Sequence, residues 1–480
     1  MGEKDDRSAA LLPIMLVLMA IEFFSSLEAS MIYTALPTIA RQYGGLQSTG
    51  WLVSAFVLVQ SSTAAIGGRL GDIFGRRLTI VVILVICLFA SLISAFSSDL
   101  GHIIFGRALQ GVSGALLPLC FGIARERSPC DRMPLWIGVL AGCYSASGAV
   151  GFLLGGVLAE TAGWQAIFYV TSGLALVLIL PVLLVLPREV CKEGPRPSID
   201  WLGGLLMMPA IGGLLLAITY AKDWGWASGT TLGVAGASIL LAILWLRQEL
   251  RHPTPLIDVR LLRDRGVAMG NLCFFLLGLG SMQLPLVVMA LIQQPVWTGV
   301  GLGAGAALTG LLKLPSNVIS MVAGPFGGHL TSRYGARIAA FTGMGLAASA
   351  WVMLSIYHGS LGFVVFVSIV VGAGMAMTLG SIPNLILAVA PPERSSEATG
   401  MLSVIRTMGV AIGAQLAAVL LSTSRISDAA GHSFADGHAY LLTFSLIAVV
   451  TILGALTCLL LPARRHMATG HPAVLAAPAE

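Results

Sequence analysis

Gly67-Gly68-Arg69-Leu70-Gly71-Asp72-Ile73-Phe74-Gly75-Arg76-Arg77 aligns without a gap with Gly327-Gly328-His329-Leu330-Thr331-Ser332-Arg333-Tyr334-Gly335-Ala336-Arg337, from 67 and from 327. The Gly pair, the Leu, an aromatic, a later Gly and the final Arg coincide in the two copies. Each copy lies between long apolar runs, so it reads as a basic, glycine-rich turn joining two antiparallel helices. Gly lets the backbone turn tightly there. The same turn at equivalent places in two blocks predicts an internal duplication.

The solvent of those blocks follows from composition. Residues AVILMFWYC make up 56% of the 480 positions, charged residues 10%, and the mean hydropathy is +0.90. An average soluble domain is about 25% charged. The composition therefore disfavours a free cytosolic enzyme, a nucleic-acid-binding module and a disordered tail protein. The 57 glycines fit lipid, where helices pack closely through small residues. Apolar runs of ~20 residues mark candidate crossings. They fall at 11–38, 50–67, 78–97, 101–124, 134–159, 164–187, 201–221, 228–247, 266–291, 300–326, 338–357, 360–390, 397–423 and 438–462, fourteen in all. The first is too long for a signal peptide.

Charge placement gives the sidedness. With the N-terminus cytoplasmic, 21 of the 27 Lys and Arg fall in cytoplasmic segments, three (Arg41, Lys222, Arg425) outside and three (Arg107, Lys313, Arg406) inside spans. That is a strong positive-inside bias, and an even count returns the C-terminus to the cytoplasm. The expected organisation is a cytoplasmic tail (1–10), a six-helix bundle (11–187), a central linker with two extra helices (188–265), a second six-helix bundle (266–462) and a disordered cytoplasmic tail (463–480). Parallel repeats of six spans are a transporter plan, with the substrate site between the halves near the midplane. The seven cysteines (87, 120, 130, 143, 191, 273 and 458) form no CxxC and have no His at metal spacing. They read as core packing, and no metal site is expected.

These features resemble the major facilitator superfamily, in particular its fourteen-span drug:proton antiporter branch, over about residues 11–462. Gly68 to Arg77 is similar to the superfamily's loop signature, with Ile73 where a basic residue is common. Arg107-Ala108-Leu109-Gln110-Gly111 is similar to the fourth-helix R-x-x-Q-G element. Leu27 to Pro37 resembles the branch's first-helix pattern L-D-x-T-I-V-N-x-A-L-P, with Glu28 for Asp and Tyr33 for Asn. Asp200-Trp201-Leu202-Gly203 and Trp224-Gly225-Trp226 resemble the branch's marks around the central pair. The resemblance implies an all-α integral membrane protein with the major facilitator fold: two six-helix bundles and two central extra helices. It also places the coupling carboxylate at Glu28 and an organiser of proton coupling at Arg107.

The residues support specific roles. Asp72 between Arg69 and Arg76/Arg77 has the makings of a charge-assisted latch at the membrane edge. Gly68, Gly75, Gly328, Gly335 and Arg337 complete the two gate loops, and Ser332 in place of the acid predicts a weaker second latch. Glu22 and Glu28 are acids deep inside a span. Glu28 lies nine residues, about 14 Å, inward of Pro37. A carboxylate at that depth is costly, and burial disfavours its charged form, as suits a proton carrier. Glu22 lies about 120° away round the helix; a packing contact to a buried base is its alternative. Lys313, in the middle of the tenth span, is too deep to snorkel and should face a cavity or an acid.

With Arg406, Tyr33, Gln60, Gln110, Tyr144, Asn317 and Asn384 it is a candidate for the substrate cavity; helix–helix hydrogen bonding is the alternative for the polar members. Ser147, Gly151, Gly155 and Gly156 form a smooth ridge on the fifth span, repeated by Gly409 and Gly413. The ridge resembles the exporters' fifth-helix motif, with Ser147 for its first Gly and Phe152 for its Pro. No role is assigned to the histidines.

The expected function is secondary active transport: proton-coupled efflux of small amphipathic organic compounds, multidrug-type, by alternating access. The proton gradient is the energy source, with no cofactor. The setting is the bacterial cytoplasmic (inner) membrane, the protein is expected to be monomeric, and its partners are substrate, protons and lipid, with no nucleic acid. No nucleotide loop G-x-x-x-x-G-K-[ST] and no HExxH or G-x-S-x-G motif is present, against primary transport and against an enzyme. The alternative carrier is a proton-coupled or exchange carrier of an organic anion or metabolite, in which Lys313 and Arg406 would matter most. A transporter-like receptor without flux is the remaining class.

Overall fold

The computed structural model describes residues 2–43, 45–127, 133–187, 201–252, 259–389, 395–427 and 433–462. The segments 188–200 and 463–480, including the expected C-terminal tail, lie outside them.

The first bundle comprises α1 (Gly2–Gln42), α2 (Trp51–Phe74), α3 (Arg76–Phe96), α4 (Leu100–Gln110 and Leu116–Arg127, joined by a 3₁₀ turn over Gly111–Ala115), α5 (Met133–Thr161) and α6 (Gln165–Val185). The expected N-terminal tail is helical and runs on into the first crossing. The central pair is α7 (Trp201–Trp224) and α8 (Gly229–Arg251). The second bundle comprises α9 (Arg265–Leu279 and Leu284–Gln293, with a 3₁₀ turn over Ser281–Gln283), α10 (Ala306–Tyr334), α11 (Ala336–Ile356), α12 (Leu361–Val389), α13 (Ser395–Leu421) and α14 (Gly437–Cys458). A small antiparallel hairpin, β1 (Arg425–Ser427) with β2 (Ser433–Ala435), joins α13 to α14. Among the described residues eleven helices are long and apolar enough to cross a membrane. The other three expected crossings hold the shorter apolar helices Trp51–Ala64, Ala146–Thr161 and Leu205–Ala221. This is an all-α, multi-span membrane fold.

The duplication read from the two loops extends to the backbone. Gly75 between α2 and α3 has φ 85° and ψ 133°, and Gly335 between α10 and α11 has φ 91° and ψ 155°. Only glycine enters that region without strain. Helix packing repeats as well. On α5, a Cβ at Gly151 or Gly155 would collide with Ser30 or Met31 of α1; on α13, a Cβ at Gly409 or Gly413 would collide with Phe275 or Leu279 of α9. The fifth helix of each bundle thus lies backbone-close on the first, the close approach that small residues permit.

The halves meet at the end of the molecule away from the termini. There Ser54 Oγ (α2) donates to Ala411 O (α13) at 3.2 Å, Gln293 Nε2 (α9) donates to Thr34 O (α1) at 2.9 Å, and Ala307 N (α10) donates to Glu160 Oε2 (α5) at 2.9 Å. The apolar core follows the same division. One cluster at that end draws on both bundles, including Leu36, Phe56, Phe168, Trp351 and Phe444. Toward the termini the core splits into a first-bundle cluster around Leu18, Leu84 and Leu119 and a second-bundle cluster around Phe274, Met344 and Ile386. Of the central pair, α7 touches both α2 and α13, one helix from each bundle.

Candidate functional site

Three buried charges, Arg107, Glu28 and Glu22, lie in the first bundle. Arg107, only 2% exposed, lies on α4 just before the 3₁₀ turn. Its Nε donates to Leu52 O at 3.2 Å, and its Nη1 donates to the backbone carbonyl of Glu28 at 3.3 Å and to Gln110 Oε1 at 2.8 Å. The guanidinium sits 4.2 Å from the Phe56 ring centroid, a cation–π stack. Gln110 Nε2 donates to Ser91 Oγ at 2.7 Å, and Thr171 Oγ1 donates to the same Ser91 at 3.1 Å. One cation and one amide thereby join α1, α2, α3, α4 and α6.

Glu28 is buried, and among the described residues neither of its carboxyl oxygens has a partner in hydrogen-bonding geometry. Arg107 binds the carbonyl of Glu28, while Arg107, Ser113 and Cys87 are the groups close enough to influence its carboxyl. Ser113 lies in the 3₁₀ turn of α4, and among the described residues its hydroxyl likewise meets no partner in hydrogen-bonding geometry. A mid-helix 3₁₀ stretch often marks a functional hinge; here it faces the unpaired carboxyl. Glu22 is also buried, with neither oxygen in hydrogen-bonding geometry with a described residue, on the side of Cys120 and Cys143 rather than Arg107. The two acids therefore do not share one site, as their 120° separation requires.

The gate loops are tied into their own bundles. The Arg76 guanidinium fills the space over Gly122 of α4, where a Cβ would sit 2.7 Å from Cζ. Arg77 Nη1 donates to Leu186 O, just past α6, at 3.1 Å. In the second copy Arg333 lies over the Tyr334 ring at 5.5 Å. Gly68 and Asp72 lie in α2, but their side-chain surroundings are outside the described residues. The latch expected of Asp72 is thus not among the contacts seen.

The expected cavity residues divide. Tyr33 is half-buried and pairs with Phe152 of α5, ring centroids 6.0 Å apart. Gln110 belongs to the Arg107 network. Lys313 Nζ donates to Ser316 Oγ at 3.1 Å, and Asn317, one turn on, has an Nδ2 with no partner among the described residues. Gln60 is half-buried on α2, with its backbone against Gly114 of α4. Asn384 is exposed near the end of α12 and donates to Gly380 O, and Arg406 is half-buried on α13, its carbonyl against Gly278. The side chain of Tyr144 is outside the described residues. In the ridge, Ser147 donates to Phe23 O, Gly151 and Gly155 face α1, and Gly156 faces Ala306 of α10 in the other half. Sequence reading missed Ser91, Ser113, Cys87 and the Leu52 carbonyl. Small polar residues in an apolar run carry little signal, and a carbonyl carries none.

The family model of the Major Facilitator Superfamily matches residues 18–320 and 272–478. The chain is similar to the "Tetracenomycin C resistance and export protein" of Streptomyces glaucescens, 26% identical over 86% of this chain and 76% of the relative. It is 28% identical to the "Multidrug resistance protein Stp" of Mycobacterium tuberculosis, over 82% of this chain and 72% of the relative. Among solved structures, an auto-inhibited POT family peptide transporter superposes with a TM-score of 0.65 at 16% identity, covering 97% of this chain and 99% of that one.

Proposed function

The chain belongs to the Major Facilitator Superfamily and is a membrane-embedded secondary transporter, and on that premise we propose that it exports small amphipathic organic compounds in exchange for protons. The observation that carries the coupling is the Glu28 carboxyl, buried mid-span with both oxygens unpaired among the described residues, beside a 3₁₀ break in α4 and the fixed charge of Arg107. A buried carboxyl without hydrogen bonds is stable only when protonated or when its surroundings change. Loss of the proton therefore favours a different packing of α1 on α4, and the proton biases which side is open. A ligand shifts such an equilibrium only through its differential affinity for the two states. The names of the two relatives, an export protein and a multidrug resistance protein, support the direction and the cargo class.

In this reading the termini are cytoplasmic in a bacterial inner membrane. The sealed end is then external, and the structure is the inward-facing state. The test is dye accumulation in everted membrane vesicles from a host lacking its own pumps, driven by an imposed pH gradient. Wild-type protein is expected to accumulate at least one dye of a panel of anionic, neutral and cationic fluorophores until the gradient is dissipated, and Glu28→Gln to give a folded protein with no gradient-driven accumulation. Gradient-driven accumulation that survives Glu28→Gln would overturn the assignment.

A further inference from the structure

Lys313 sits where a cation has no business without a counter-charge. It is midway along the apolar part of α10 and lines a narrow, partly open apolar pocket between α9, α10 and α12, walled by Leu284, Val288, Met289, Leu312 and Val365. Its described polar contact is the Ser316 hydroxyl at 3.1 Å, which itself donates to Ser368 O at 2.9 Å. Among the described residues no carboxylate comes within ion-pairing distance of it. The acids deep in the spans, Glu22 and Glu28, belong to the other bundle, where they pack beside Cys120 and beside Arg107 with Ser113. An intramembrane lysine held by hydroxyls alone is costly unless an anion joins it.

The helix that carries Lys313 also runs along the seam between the halves. Gly310, three residues before Lys313 on α10, lies against the Phe152 carbonyl, and the Phe152 ring pairs with Tyr33. An ammonium in an apolar wall thus stands about one helical turn from a backbone contact to an aromatic pair on the opposite bundle. We propose that Lys313 is the counter-charge for the cargo, which is an aromatic amphiphile bearing a carboxylate or similar single anionic group, rather than a lipophilic cation. The inference rests on the reading that the chain carries amphipathic compounds, and it narrows that class by charge. The carboxylate meets the amine, and the ring system extends from the apolar wall of α9 and α12 toward the Phe152–Tyr33 pair across the seam.

The test is counterflow with purified full-length protein in liposomes, without a pH gradient, using two dyes that share a xanthene ring: anionic fluorescein and cationic rhodamine 123. Wild type is expected to exchange fluorescein. Lys313→Gln should lower that exchange on the order of 30-fold, the consequence of removing one partner of a desolvated charge pair, and leave any rhodamine 123 exchange little changed. Lys313→Arg should restore fluorescein, and Lys313→Glu should shift preference toward rhodamine 123. The proposal is overturned if wild type exchanges neither dye or rhodamine 123 alone, or if Lys313→Gln leaves fluorescein exchange intact. It is equally overturned if all three variants lose both dyes alike, the signature of a lysine needed only for packing. Because counterflow needs no gradient, fluorescein exchange that persists while gradient-driven transport fails would defeat the proton coupling and leave this inference standing.

Discussion

A guanidinium that serves carbonyls is harder to replace than one that serves a carboxylate. Arg107 reaches Leu52 O, Glu28 O and Gln110 Oε1 through a planar fork and stacks on Phe56 as well. Lysine offers a single rotatable ammonium and loses that geometry. Each buried acceptor left unpaired costs about 1–3 kcal/mol. Arg107→Lys is therefore expected to lower the melting temperature of the purified protein by several degrees; an unchanged melting temperature would show that the network adds nothing to stability. Glu28 and Arg107 were legible in the sequence because a charge inside an apolar run is expensive and stands out. Their geometry was not, since Arg107 bonds a backbone oxygen, which has no letter. Gln110 read as cavity lining for the same reason: its partner Ser91 lies on another helix, and nothing in the spacing joins them.

Among elements, the glycine ridges have the clearest energetics. At Gly155 an added side chain runs into the Met31 backbone, and at Gly413 into that of Leu279, so neither contact relieves itself by a rotamer change. Overpacking of this kind costs about 1–3 kcal/mol. Gly155→Val and Gly413→Val should each reduce thermal stability and yield in detergent, whereas Gly345→Ala, which faces open space on α11, should be neutral. Equal tolerance at all three positions would refute the close packing of α5 on α1 and of α13 on α9. The four-residue spacing made the ridge readable. Its division did not show, because consecutive helical positions point about 100° apart and sequence does not say what each meets. Gly155 meets α1, while Gly156 meets α10 of the other half. The interruptions in α4 and α9 were also hidden. In α9 the Gln283 amide bonds Gly278 O and Val410 O across the break, a repair that only the folded chain reveals.

For the whole molecule, the sequence carried the count, the sidedness bias and the duplication, because hydropathy and loop signatures are local. The conformational state was not legible, because both states are built from the same helices. It is visible in where the bundles touch: Ser54 with Ala411, Gln293 with Thr34 and Glu160 with Ala307, all at one end. Gly310 lies in that seal against Phe152 O. With the termini cytoplasmic, as proposed, Gly310→Trp should wedge it open and shift the population outward, read as increased labelling, by a membrane-impermeant thiol reagent added outside, of a cysteine placed at Thr309. Unchanged labelling would mean that the seal is not what holds this state.

Proton movement coupled to cargo movement tests the central claim most directly. In sealed proteoliposomes with a pH-reporting dye trapped inside, and no gradient at the start, a cargo gradient should drive protons in the opposite direction through wild-type protein. Glu28→Gln should still exchange cargo but move no protons. Cargo flux through wild type without proton movement, or proton movement undiminished in Glu28→Gln, would contradict the account.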